Sequence, residues 1–140
     1  MPIGSATRRW RLSSAGGTRA GASVCRVRAP SGNEKALIEV LLSEDGPGVL
    51  ELRAQVASVR VLGPWSPGSA SLRLVVNGNV PPGAVSDGPA GSGWAYALSG
   101  EPLGTVLLWV TDGYLSDLEY GWVTGEAPTE LPSADSVRVP

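Results

Sequence analysis

VLLWVTDGYLSDLEYGW, residues 106–122, decides the fold of this chain. An apolar run, Val106 to Val110, meets Asp112-Gly113, a dipeptide suited to a tight hairpin turn. Beyond the turn, YLSDLEYGW continues in a pattern close to period two, the spacing of a strand with one face buried. Two strands joined by so short a turn pair antiparallel. The stretch also raises the functional question. Asp117 and Glu119 stand two residues apart beside Tyr114, Tyr120 and Trp122, as an acid/base pair or as a solvated sheet face.

Working outward, period two recurs in ASVRVLG (57–63), SASLRLVVN (69–77) and WAYAL (94–98). GPWSPGS, between the first two, is turn chemistry and carries Trp65. Asn77-Gly78 resembles a hairpin turn, but Pro81 and Pro82 cannot donate to a ladder, so residues 77–92 read as a long loop. Upstream the period changes. Ser31-Gly32-Asn33-Glu34 has capping-box spacing, and Leu37, Ile38, Leu41 and Leu42 form a helical stripe. Pro47 is placed to open a second short helix, VLELRAQV, with Val49, Leu52 and Val56 on one side. The expected fold is α+β: an N-terminal helix, with this second short one, packed on one face of an antiparallel sheet of about five strands. The Pro-interrupted residues 124–140 are expected to run extended over the surface.

Composition bounds the chemistry. A chain of 140 residues suits one domain with a modest core. The net charge of −2 conceals an asymmetry: residues 1–30 hold six Arg and no acid, whereas residues 31–140 hold five basic and all thirteen acidic residues. The expected division is therefore a basic, disordered arm or start-site extension over 1–30, and a single acidic α+β domain over 31–140. Thr7-Arg8-Arg9-Trp10 followed by Cys25 has the outline of an export signal, but Arg19 interrupts the apolar region such a signal needs. The expected location is cytoplasmic, and no run approaches the length of a membrane span. An acidic domain does not suit nucleic acid. With no His and one Cys, Ser-His-Asp and Cys-His mechanisms and zinc sites of His and Cys drop out of this sequence, and no cofactor is expected.

ALIEVLLSED (36–45), LELRAQV (50–56), VLLWVTDGYLSDLEYGW (106–122) and EAPTELPS (126–133) together resemble a small family of uncharacterised actinobacterial proteins. Its members share a helix, an L-R-x-Q segment, and a C-terminal D-G-x-L-x-x-L-E-Y hairpin followed by an acidic, Pro-rich tail. The resemblance covers about residues 34–137 and leaves the basic arm outside. Some relatives carry a Cys-Gly-Cys-type turn near PWSPGS. This chain has none, so no metal or redox role is implied there. The resemblance implies no activity.

Two readings of residues 111–122 stand. Strict alternation puts Asp117 and Glu119 on one face, their Cβ atoms about 7 Å apart by the strand rise, a spacing compatible with a glycosidic acid pair over a floor of Trp94, Trp109 and Trp122. Alternatively, Leu115 and Leu118, three apart, imply a bulge at Ser116-Asp117 that turns both Leu inward and leaves the acids on the wet side. The tryptophans are expected to fill the core of a chain without Phe, Trp65 excepted. The leading expectation is a non-catalytic, protein-binding domain of regulatory or immunity-like kind. Its face of Asp117, Glu119, Tyr114 and Tyr120 would meet a basic protein partner. The alternatives are a small-molecule or glycan binder using Trp65 and Trp94 with residues 77–92 as a lid, and a carboxylate-based hydrolase centred on Asp117 and Glu119.

Overall fold

A computed structural model describes residues 27–140. The basic arm falls outside the described residues up to position 26, and Thr7-Arg8-Arg9-Trp10 and Cys25 fall outside with it. Arg28, at the arm's end, is paired in an antiparallel bridge with Val61 and forms a two-pronged ion pair with Glu34 at 2.8 and 2.9 Å.

Helix α1 spans Gly32–Leu41 and begins on the capping box read from the sequence: Ser31 Oγ accepts from the Glu34 N–H at 3.1 Å, and Glu34 Oε1 accepts from the Ser31 N–H at 2.7 Å. Helix α2, Val49–Gln55, starts after Gly48, whose φ of 78° suits a residue without Cβ. A 3₁₀ turn, Val56–Ser58, leads into the sheet. The strands are β1 (Val59–Pro64), β2 (Leu72–Val76), β3 (Gly88–Tyr96), β4 (Pro102–Thr111), β5 (Tyr114–Trp122) and β6 (Val137–Arg138). They form one sheet in the order β1-β2-β5-β4-β3-β6, antiparallel at every pairing. The expected α+β architecture holds, with six strands in place of about five.

Both differences in the strands come from tertiary pairing. The sixth strand lies in the tail. Asn33 on α1 donates to the Pro132 carbonyl and accepts from the Ala134 N–H, and the steered segment then pairs Val137 and Arg138 with Ala95 and Trp94. Strand β3 begins at Gly88, so the loop expected over 77–92 ends six residues before WAYAL. GPAGSG has no strand propensity of its own, but its small residues are what the packing needs. A Cβ on Gly91 would collide with the Leu41 carbonyl of α1, and one on Gly93 would lie 2.7 Å from the Val137 side chain.

The core is aliphatic. Leu37, Ile38 and Leu42 from α1 and Leu52 from α2 meet Val106, Leu108, Leu115 and Leu118 from β4 and β5, all but sealed from water. Each such burial contributes about 1.5–3 kcal/mol. Trp94, Trp109 and Trp122 are not the core fillers expected: Trp94 and Trp122 are exposed at 41 and 46 % and Trp109 is half-buried, while Trp65 is exposed at 40 %, as expected. With two helices laid closely over the sheet, branched aliphatic side chains fill the space between layers without them.

Candidate functional site

Strand β5 carries the bulge that Leu115 and Leu118 imply. Trp109 pairs with Asp117 but Val110 pairs with Leu115, so Ser116 is the extra residue. Leu115 and Leu118 both turn into the core, while Asp117 and Glu119 project from the opposite face of the sheet. Their neighbours follow from register. Across β4 stand Trp109, opposite Asp117, and Leu107, opposite Glu119. Across β2, Arg73 stands opposite Asp117. Beyond it Val75 on β2 faces Arg60 on β1.

Each carboxylate holds an indole. Trp65, from the loop between β1 and β2, donates its Nε1–H to Asp117 Oδ1 at 3.1 Å. Trp109 donates Nε1–H to Glu119 Oε1 at 2.8 Å, along the diagonal that neighbouring antiparallel strands bring into reach. Burial among these side chains pushes the Asp117 carboxyl up to about 6. The Trp65 N–H, the Arg73 charge and Ser116 oppose that rise, and the Glu119 charge adds to it.

Strand β4 shows why this face is the candidate site. Val106, Leu108 and Val110 point into the core, yet Leu107 and Trp109, on the other side, are apolar as well. A strand segment apolar on both faces, as residues 106–110 are, is the pattern of a sheet covered on both sides there. Both helices contribute to the core beneath one face. Leu107, Trp109 and Val75 pack outside that core, on the face that carries Asp117 and Glu119.

The structure regroups the expected site residues. Asp117, Glu119 and Trp65 come together as described. Tyr120 does not join them: it is 6 % exposed, part of the core, because alternation from Leu118 returns it inward. Tyr114 is also engaged elsewhere, its hydroxyl donating to the Val80 carbonyl at 3.0 Å. Trp94 lies on the outer face opposite Thr105, four residues along β4 from Trp109, a separation of about 13 Å by the strand rise. Trp65 and Trp94 therefore do not line one pocket. Residues 77–87 are no lid over them. Gln55 on α2 binds the Pro81 and Gly113 carbonyls at 3.1 and 2.8 Å, and Gly83 lies against Leu52, so this loop packs on the helical side. Arg73 is the site residue that reading the sequence missed. Alternation places it away from Leu72 and Leu74, but only the β2–β5 register sets it beside Asp117.

The L-R-x-Q segment is structural. Leu52 is buried, Arg53 Nε caps the Leu42 carbonyl at 2.8 Å, and Gln55 is sealed with both ends of its amide bonded. Two cavities lie apart from the acids. One of about 420 Å³ sits between Arg28, Asn33, Leu72 and Leu131, and one of about 300 Å³ between Leu41, Gly91, Leu107 and Pro140. Neither includes Asp117 or Glu119. Among the described residues no cluster of His, Cys, Asp and Glu could hold a metal ion, and no helix is long and apolar enough to cross a membrane.

No family model, curated protein or solved structure matches this chain. The resemblance to the actinobacterial family rests on its quoted segments alone.

Proposed function

We propose that this protein is a non-catalytic protein-binding domain, regulatory or immunity-like in kind, and that the outer sheet face is its docking surface. The observation that carries the reading is the middle of β4, where Leu107 and Trp109 are apolar on the side away from the helices and core. Trp and Arg are the side chains most often dominant at protein interfaces, and Trp65, Trp109, Arg60 and Arg73 share this face. Asp117 and Glu119 act here as acceptors that hold two indoles in place, which lowers the entropy lost when a partner lands. Two Arg beside two acids leave the face near neutrality, which favours a partner with an apolar patch over a strongly basic one. A cytoplasmic location belongs to the same reading.

The test is affinity capture from host lysate on the full chain, followed by titration of the purified partner against Leu107→Lys, Trp109→Ala and a turn control, Leu98→Ser. Weakening of about tenfold or more by the first two, with the control unchanged, is expected. A partner bound equally by all three variants removes the face from the reading.

A carboxylate hydrolase is favoured by one observation: Asp117, raised to about 6, stands one strand repeat from Glu119. That is a plausible charge state for a general acid. Against it, both carboxylates already accept from indoles and neither lines the cavities described above. Turnover of a glycoside or ester lost in Asp117→Asn would establish it.

A further inference from the structure

The outer face is suited to a particular partner. Resting on the docking reading above, we propose that its occupant is a second copy of this chain, joined face to face about a twofold axis parallel to the strands and passing between β2 and β5.

Three features of the molecule favour this occupant. The first is charge. Residues 27–140 hold six basic and thirteen acidic side chains. The part of the face on β1, β2, β5 and β4 has two of each, Arg60 and Arg73 with Asp117 and Glu119, so the remaining surface has four basic against eleven acidic. Two copies of an acidic molecule repel through most orientations, and least where each presents a neutral, apolar patch. The second is register. Arg73 and Asp117 lie at the same level on adjacent strands. A twofold axis between those strands exchanges their positions across the interface, so Arg73 of each copy faces Asp117 of the other. An isologous contact requires such self-complementarity. The same axis sets β4, with Leu107 and Trp109, against β1 of the second copy, where Arg60 can lie over the Trp109 ring.

The third is area. About that axis four strands overlap, β1, β2, β5 and β4. At their usual spacing and length they give a face of about 400 Å² in plan, or about 800 Å² over two copies, the size of a weak, reversible interface. Sheets packed face to face at about 10 Å with a modest crossing angle have room for indoles already laid along the surface. Strand β4 would then be covered on both sides, as its composition demands.

Sedimentation velocity of the full chain over a wide concentration range tests this. Reducing conditions exclude a link through Cys25, and physiological ionic strength screens the basic arm. A reversible dimer is expected, weakened about tenfold or more by Leu107→Lys and by Val75→Lys and unchanged by Leu98→Ser. Circular dichroism establishes that each variant is folded. Asp117→Arg and Arg73→Asp should each be monomeric alone and dimerise when mixed, because the opposite charges then meet across the interface. A wild-type chain that stays monomeric overturns the second-copy occupant. So does a dimer that Leu107→Lys leaves intact, which uses another surface. These failures separate from that of the docking reading: monomeric wild type whose captured heterologous partner is lost in Leu107→Lys keeps the docking surface and removes only the self-partner.

Discussion

A single amide shows how closely this fold is satisfied. Gln55 is fully buried, its Oε1 accepting from the Leu115 N–H at 3.0 Å and its Nε2 donating to two carbonyls from different loops. Replacing it with Leu leaves three backbone groups without that partner, and urea denaturation should show a loss of about 3 kcal/mol. Asp117 behaves in the opposite way to most acids in folded proteins. Its folded pKa, about 6, lies above its ordinary 3.8. Between those values the folded state binds the extra proton, so its contribution to stability falls as pH rises through about 6 and the penalty persists at neutral pH. Asp117→Asn should therefore be more stable than wild type at pH 8, by about 1 kcal/mol once solvent screening at this half-buried site is allowed for, and the gain should vanish near pH 4. Thermal melts across pH measure both. Glu34 runs the ordinary way: Arg28, with the Ser31 N–H, holds its carboxyl below 4.5, so its stabilisation is present above that value and lost as pH falls through the lowered one.

At the scale of elements, two contacts decide where segments lie. Helix α1 ends against β3 so closely that Gly91 admits no Cβ, since one would meet the Leu41 carbonyl. Gly91→Ala should cost about 2–3 kcal/mol in chemical denaturation, the usual range for overpacking. Asn33 ties α1 to the tail through Pro132 and Ala134. Asn33→Ala should release residues 132–138, seen as faster amide exchange at Val137 and Arg138 while β4 and β5 stay protected. Capping, helical stripes and the hairpin were legible because each is a local pattern of a few residues, and the Leu115–Leu118 spacing made the bulge one of two readings. Strands β6 and the first half of β3 were not. VR and GPAGSG carry no strand signal, and only a partner strand makes them one.

On the scale of the whole molecule, the sheet divides the chain into a sealed aliphatic side and an aromatic, mixed-charge side. The first accounts for stability, and the second is where function is proposed. Trp65 reports on that second side. With its N–H on Asp117, its emission should shift when the Asp117→Ala change releases it, while Trp109 stays tied to Glu119. Comparing Trp65→Phe with Trp65→Phe/Asp117→Ala isolates that change, and an identical shift in both pairs would mean that another indole is the reporter.

By itself the sequence determined the class of fold, the helix starts and the central hairpin, because periodicity and caps act over short range. It offered the bulge that turns Leu115 and Leu118 inward as one of two readings, between which the β4–β5 register decided. It also placed Asp117 and Glu119 together. What tertiary structure alone decided was their company: Arg73 and Trp65 beside Asp117, Tyr120 withdrawn into the core, Trp94, Trp109 and Trp122 outside it, and the loop over 77–87 on the helical side. Those outcomes depend on which strands become neighbours. Pairings between segments far apart in the chain are selected by the packing of the whole core, which no local pattern encodes.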